Sequence, residues 1–178
     1  MDTEKVLAIA KNAGFSQVGE LDCDTIRLMP EVRKMCEDNT CGMYGKCWSC
    51  PPGCGSLEEC ESRVRKYKKG ILVQTVGEME DSMDIEAMMD TEEAHKEHFM
   101  KVREELQKLY PDMLALGAGA CTVCKSCAYP DSPCRFPQKA VSSMESYGIL
   151  VNQVCTDNHM KYYYGSGTIA YTLSLIHI

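Results

Sequence analysis

Four cysteines in the segment 121–137, CTVCKSCAYPDSPCRFP, constrain this chain more than any other feature of its sequence. Cys121, Cys124 and Cys127 follow one another at two-residue gaps, and Cys134 comes after six further residues. Three closely spaced thiolates can cover three corners of a cubane 4Fe-4S cluster, and a more distant cysteine can ligate the fourth iron. A tetrahedral zinc site prefers two C-x2-4-C pairs, so the central cysteine fits it less well. The spacing therefore predicts a 4Fe-4S cluster on these four residues, with zinc as the alternative.

The chain has 12 cysteines among 178 residues and a net charge of −7. Its N-terminus is acidic and then amphipathic, unlike the basic and then apolar plan of a secretory signal peptide. No apolar run approaches the roughly 20 residues that cross a bilayer. We therefore expect a cytoplasmic protein without membrane insertion, in which cysteine enrichment indicates metal or redox chemistry rather than disulfides. The negative charge argues against nucleic acid as a partner.

A second group of cysteines, in the segment 36–60, is denser and less regular. The prolines after Cys50 stiffen this segment, as prolines do next to cluster cysteines. Cys60 lies on the apolar stripe of a predicted helix and is the first replacement in the ligand set, while Cys47, beside the only tryptophan, is left out of it. The ligands that we predict for a second metal or cluster are Cys36, Cys41, Cys50 and Cys54.

Other residues are weaker candidates for chemistry. Cys47 and Cys50 could form the C-x-x-C pair of a thiol-disulfide enzyme, which would keep its activity after metal removal. Cys23 and Cys155 are expected to be buried and structural. EEAHKEH, at 92–98, contains the E-x-x-H arrangement of di-iron proteins, but no second copy exists, so we interpret it as a solvated charged face.

Helical and strand patterns alternate along the chain, and no repeat or linker divides it. The predicted fold is α+β or α/β, a mixed sheet of four to five strands with helices packed on it and two cysteine-rich metal-binding loops. Ser56 and Glu59 form a capping box at the start of a helix. The longer predicted elements are helices at 84–110 and 137–147 and strands at 71–76, 113–119, 149–155 and 168–173.

Several of these motifs together resemble the domain-of-unknown-function 2284 family. The resemblance rests on NTCGMYGKCWSCPPGCGSLEEC, ILVQTV with the acidic stretch behind it, LALGAGACTVCKSCAYPDSPCRFPQKAVSSMESYGILV and YYYGSGTIAYT, and it covers nearly the whole chain. It implies a predicted metal-binding protein of anaerobic bacteria or archaea with cysteine-bound, iron-sulfur metal and no established reaction. The family pattern does not need a cysteine at Cys47, in agreement with the ligand set chosen above.

The end of the chain departs from that family. Similar members continue after the last Tyr-Thr into a stretch with another cysteine, whereas this chain reads LSLIHI. A common transposon-based sequencing adapter encodes the same hexapeptide. We therefore expect one metal-binding domain at 1–172 and a non-native tail without functional weight at 173–178.

The function that this sequence favours is an iron-sulfur protein that transfers electrons or serves as a redox accessory to a partner enzyme. Its expected partner is a redox protein, and Arg135, next to Cys134, is the expected electrostatic tuner of the cluster potential. No residue is singled out as catalytic. The alternative is a structural zinc-binding interaction module, which would be colourless and redox-inactive.

Overall fold

The computed structural model describes residues 2–177, and within them it contains five α-helices and a mixed sheet of five strands. This confirms the predicted α+β fold. The helices are α1 (Thr3–Ala13), α2 (Pro30–Glu37), α3 (Leu57–Val64), α4 (Ile85–Leu109) and α5 (Val151–Asp157). The strands are β1 (Gln17–Asp22), β2 (Lys69–Glu78), β3 (Leu114–Gly117), β4 (Ser142–Ser143) and β5 (Thr168–His177).

The sheet has the strand order β1-β2-β5-β3-β4. All neighbouring strands are antiparallel except β3 and β4, which are parallel. The last strand in the sequence, β5, is inserted between β2 and β3 and pairs with β2 from Thr168 opposite Glu78 to His177 opposite Lys69. The chain leaves β3 at Gly117 and returns to β4 at Ser142, and the second cysteine segment forms the connection between them.

Two apolar cores lie on the two faces of the sheet, because successive side chains of a strand point to opposite sides. Ile71 and Val73 of β2 pack with α1 and α4, in a core that includes Phe99. Leu72, between them, belongs to the other core, which includes Cys54 and Cys60 of the first cysteine segment. One face of the sheet thus carries the long helix, and the other packs directly on the cysteine-rich part of the chain.

Two predicted elements are wrong. The segment 149–155, predicted as a strand, forms most of helix α5, in which Val151, Val154 and Cys155 are buried. Their i, i+3, i+4 spacing is that of a helix face. The segment 137–147, predicted as a helix, instead contains the short strand β4 and a 3₁₀ turn at Glu145–Tyr147.

Strand β5 includes the first residues of the predicted tail. Leu173 and Leu175 are buried, and Leu173 pairs with Val73 of β2. These leucines therefore contribute to the core, while the non-native origin of 173–178 stays a prediction. None of the helices in residues 2–177 combines the length and apolarity that a bilayer-spanning helix needs.

Candidate metal centre

The connection between β3 and β4 folds around a small cavity. The cavity is lined by all four cysteines of the second segment, together with Val123, Phe136 and Ala140 of the same connection. Each of the four cysteine side chains is partly exposed. The thiols that the sequence spacing grouped are therefore brought together at one place: Cys121, Cys124, Cys127 and Cys134.

The first cysteine segment supplies the other wall of this cavity. Cys47, Trp48 and Ser49 line it. The backbone N–H of Cys121 donates to Ser49 Oγ at 3.3 Å, which ties the two cysteine segments together beside the first predicted ligand. Cys47 thus lies at the cavity although the predicted ligand set omits it.

Trp48 fastens the two segments to each other. Its indole Nε1 donates to the carbonyl of Ser132 at 3.0 Å, and its ring meets Tyr129 edge to face with centroids 4.9 Å apart. Gly53 lies beneath this contact, where a Cβ would come within 2.5 Å of the Cys47 carbonyl oxygen and 3.0 Å of Tyr129. The absence of a side chain at Gly53 is therefore a condition for the close approach of the two segments.

A buried arginine of α4 donates hydrogen bonds to the connection between β3 and β4. Arg103 is only 7% exposed, and its guanidinium donates to the carbonyls of Lys139 at 3.0 Å and Gln138 at 2.5 Å. Burial lowers the pKa of Arg103, while the nearby Cys121 thiol acts in the opposite sense. Sequence reasoning missed this residue. Its signal is a charge on the apolar stripe that Phe99, Val102 and Leu106 form along α4.

Arg135, the tuner expected from the sequence, has a different environment. Its side chain lies on an exposed part of the connection and donates to the carbonyl of Ser126. This contact closes the loop that carries Cys127 and Cys134. Arg135 therefore braces the loop, whereas the buried charge beside Cys121 comes from Arg103.

The donor chemistry of the cavity fits a thiolate-ligated metal group. Among the described residues that line it, none carries a carboxylate or an imidazole, and the remaining side chains are mainly apolar. Soft thiolate ligands in an apolar shell suit iron-sulfur clusters and zinc. In residues 2–177, no three or more His, Cys, Asp or Glu side chains are grouped as a site for a single metal ion.

The predicted ligands of the first segment divide between two places. Near the 3₁₀ turn at Glu145–Tyr147, the Cys36 thiol approaches the Glu145 carbonyl at 3.9 Å and the Cys54 thiol approaches the Ser146 carbonyl at 3.5 Å. Cys60 joins them there, with its thiol 3.8 Å from the Cys54 carbonyl. Cys36, Cys54 and Cys60 thus lie around one turn.

Two arginines surround this group of thiols. Arg33 places Nη1 3.8 Å from Cys60 Sγ and also donates to the carbonyls of Ser146 and Gly55. Arg63 donates to the Cys54 carbonyl at 2.7 Å and to the Tyr147 hydroxyl at 3.1 Å. A hydrogen bond from Cys54 and the charge of Arg33 lower the pKa of the Cys60 thiol. Burial raises the pKa of Cys36, and the hydrogen bond to Cys60, followed by burial, raises the pKa of Cys54, so Cys60 is the thiolate that this group favours.

Cys50 and Cys41 lie apart from that turn. The buried thiols of Cys47 and Cys50 hydrogen-bond to each other, which lowers the pKa of Cys47 and raises that of Cys50. Cys41 is exposed, near enough for a thiolate there to raise the pKa values of both Cys36 and Cys50. The ligand set of Cys36, Cys41, Cys50 and Cys54 stays a prediction. Cys36 and Cys54 lie at the turn, whereas Cys41 and Cys50 lie apart from it.

The two lone cysteines are buried as expected. Desolvation raises the pKa of Cys23 to about 12 and that of Cys155 to about 11. A thiol that resists deprotonation is a poor metal ligand and a poor nucleophile. Cys23 and Cys155 instead pack in the apolar core on the cysteine face of the sheet.

The interpretation of EEAHKEH as a solvated face is wrong at its first histidine. His95 is only 2% exposed, and its Nδ1 lies 2.8 Å from Thr75 Oγ1 of β2. Burial, followed by the charges of His98 and Lys96, lowers the pKa of His95 to about 3, so the ring is neutral at physiological pH. The side chain belongs to the interior between α4 and the sheet.

Comparison with known proteins identifies a family for this chain. A family model described as "Predicted metal-binding protein (DUF2284)" matches residues 19–176, from β1 into β5 and through both cysteine segments. No curated protein and no solved structure matches the chain. The matched region contains every cysteine of the chain.

Proposed function

Because this chain belongs to the DUF2284 family of predicted metal-binding proteins, we propose that it binds a 4Fe-4S cluster and exchanges electrons with a partner protein. The ligands in this proposal are Cys121, Cys124, Cys127 and Cys134. The observation that carries it is the convergence of these four thiols on one cavity of apolar lining. When bound, a 4Fe-4S group supplies one-electron redox chemistry.

The surroundings of the cavity support a role in electron exchange. Val123 and Phe136 line the cavity and are 38% and 41% exposed, and the four cysteines are themselves partly exposed, so the thiols lie at an apolar part of the surface. A redox partner can approach closely at such a surface. Arg103 sets the charge on the buried side of Cys121, where a positive group stabilises an anionic thiolate.

A second site is proposed at the first cysteine segment. Its candidate ligands remain Cys36, Cys41, Cys50 and Cys54, with Cys60 as the first replacement. The grouping of Cys36, Cys54 and Cys60 around one turn supports Cys60 as a ligand in place of Cys50. Arg33 and Arg63 would then neutralise part of the negative charge of the thiolates.

Metal and sulfide analysis of anaerobically purified protein tests the proposal. We expect iron and acid-labile sulfide in equal amounts, about four of each per cluster, with iron-sulfur charge-transfer absorbance. Cys124→Ala should lower both amounts by about one cluster. Cys155→Ala, which removes a buried thiol away from the cavity, should leave them unchanged. Colourless protein with stoichiometric zinc would contradict the proposal and favour a structural zinc site.

A further inference from the structure

A second and larger cavity shares a wall with the metal centre. Its volume is about 430 Å³, and it lies between α4, β5 and the segment that leaves β3. Cys121 and Val123 line both cavities. A volume of this size is within the range that holds small-molecule ligands in proteins, roughly 300 to 1,000 Å³. Any occupant would lie against the first ligand of the proposed cluster.

The interior of this cavity is mainly apolar and partly aromatic. Phe99 from α4 and Tyr171 from β5 line it. Another wall has almost no side-chain volume and leaves the space open, since it is formed by Gly117, Ala118 and Gly119. Aromatic rings prefer stacked or edge-to-face neighbours, so these side chains favour a planar apolar group in the cavity.

His95 adds one polar group to the cavity wall. The residue lines the cavity, its ring centroid lies 5.9 Å from that of Tyr171, and its Nδ1 is occupied by Thr75. Its Nε2 is buried and has no hydrogen-bond partner among the described residues. Buried polar atoms are rarely left without a partner, so an unpaired Nε2 in the wall of a cavity indicates a ligand with a matching polar group.

The mouth of the cavity carries one uncompensated positive charge. Lys96 and Lys139 line it, and Lys96 is paired with Glu92 at 2.5 Å. Lys139 is exposed and has no acidic partner in the part of the chain that the structure describes. Its backbone carbonyl accepts a hydrogen bond from the buried Arg103, which holds the main chain of Lys139 beside the cavity. An anionic group is the natural partner for Lys139.

We propose that this cavity binds a small hydroxyaryl carboxylate, with its ring between Phe99 and Tyr171, its ring hydroxyl at His95 Nε2 and its carboxylate at Lys139. The protein would then recognise a small molecule directly beside its metal centre. Binding itself rests on the cavity alone. The position of the ligand next to an iron-sulfur cluster rests, in addition, on the proposed function.

The test measures binding of 3-(4-hydroxyphenyl)propanoate and of the uncharged 4-(3-hydroxypropyl)phenol to anaerobically purified protein by titration calorimetry. We expect the carboxylate to bind with a dissociation constant below about 1 mM and roughly tenfold more tightly than the alcohol, the effect of one charge-assisted contact. Lys139→Gln should abolish this difference. Lys101→Gln, an exposed lysine of α4 outside the cavity, should preserve it.

A cavity-filling variant shows where the probe binds. Ala118→Phe should weaken both probes by at least about tenfold, since it occupies their space. Thermal melting and metal content, recorded for each variant, identify any variant that fails to fold. Equal affinity for the two probes, or binding that Ala118→Phe leaves unchanged, would overturn the inference.

The metal analysis keeps this inference separate from the proposed function. If the protein contains iron and sulfide but neither probe binds, the cavity proposal fails and the cluster proposal stands. If 3-(4-hydroxyphenyl)propanoate binds to a colourless zinc protein, the cavity proposal stands and the cluster proposal fails. If both hold, the probe should also change the iron-sulfur absorbance, because Cys121 lies in the wall between the two sites.

Discussion

Arg103 links the long helix to the cysteine connection through a charge in the protein interior. Its guanidinium spans the carbonyls of Gln138 and Lys139, close to the thiol of Cys121. A buried guanidinium is costly unless its donors are used, and one of them, Nε, has no partner among the described residues. The two hydrogen bonds to the connection offset part of this cost.

Replacement of Arg103 by methionine should therefore affect both stability and metal binding. We expect Arg103→Met to lower the free energy of unfolding by about 3 kcal/mol, because two charge-assisted hydrogen bonds are lost. Thermal melting and iron content measure the two effects. Arg27→Met, which removes an exposed arginine outside this connection, should change stability by less than about 0.5 kcal/mol. Equal behaviour of the two variants would contradict the role of Arg103.

His95 makes a prediction about pH. Burial lowers its folded pKa to about 3, well below the unfolded value of about 6.5. As the pH falls below about 6.5, His95 becomes protonated in the unfolded chain but stays neutral in the folded protein. The free energy of unfolding therefore decreases between about pH 6.5 and pH 3. Between pH 7.5 and 5.5 the contribution of His95 is a loss of about 1.4 kcal/mol.

Urea denaturation at these two pH values measures this contribution. His95→Asn should remove the loss, since it has no group that titrates. Asn12→Ala, a change at an exposed residue without a titrating group, should keep the pH dependence of the unaltered protein. If His95→Asn shows the same pH dependence as the unaltered protein, the buried neutral state of His95 is wrong.

The location of some residues in the site can be predicted from the sequence, whereas that of others cannot. The four thiols at the cavity follow from local spacing, since Cys121, Cys124 and Cys127 are neighbours on one loop. Arg103 and the Lys139 carbonyl that it contacts are 36 positions apart, so only packing brings them together. His95 was misinterpreted because its charged neighbours in the sequence conceal its position on the buried side of α4.

Among the elements, α3 shows how local sequence positions a cysteine. Ser56 and Glu59 form the predicted capping box, with Ser56 Oγ accepting from the Glu59 N–H at 3.1 Å and Glu59 accepting from the Ser56 N–H at 2.7 Å. The cap fixes the start of the helix, and Cys60 follows in its buried face. The signal is readable because both partners lie within one turn.

Loss of this cap should loosen α3. We expect Ser56→Ala to lower the free energy of unfolding by about 1 kcal/mol, which is about 2 to 4 °C in the melting temperature for a chain of this size. Ser62→Ala, at an exposed position inside the same helix, provides the control. The role of the cap would be contradicted if the two alanine variants melted at the same temperature.

The contact between the two cysteine segments depends on Gly53. A Cβ at this position would lie 2.5 Å from the Cys47 carbonyl, against backbone that cannot turn aside. We expect Gly53→Ala to lower stability by about 2 kcal/mol and to reduce the metal content, as measured by melting and metal analysis. In Gly19→Ala the added Cβ meets only the flexible end of Met160 at 2.9 Å, so this control should be milder. An unchanged metal content in Gly53→Ala would show that the segments tolerate separation.

The wrong elements have identifiable physical causes. The β-branched residues of 149–155 favour a strand, but burial of Val151, Val154 and Cys155 on one side selects a helix. In 137–147, Arg103 takes the carbonyls of Gln138 and Lys139, which a helix would need for its own hydrogen bonds. Tertiary contacts decide both cases, and local propensity cannot report them.

At the scale of the whole molecule, the sheet brings together parts of the chain that are distant in sequence. The α+β class follows from the alternation of periodic patterns, but the position of β5 between β2 and β3 does not. That position depends on ten paired residues with β2. It also places Tyr171 and Leu173 in the cavity beside Cys121. The larger cavity therefore cannot be predicted from the sequence.

X-ray absorption at the iron and zinc edges of anaerobically purified protein tests the central claim most directly. If Cys121, Cys124, Cys127 and Cys134 hold a cluster, the iron spectrum should contain both sulfur and neighbouring iron scatterers, and the iron-iron contribution should decrease in Cys134→Ala. Zinc at stoichiometric amounts with four sulfur neighbours, and no iron-iron contribution, would contradict the account.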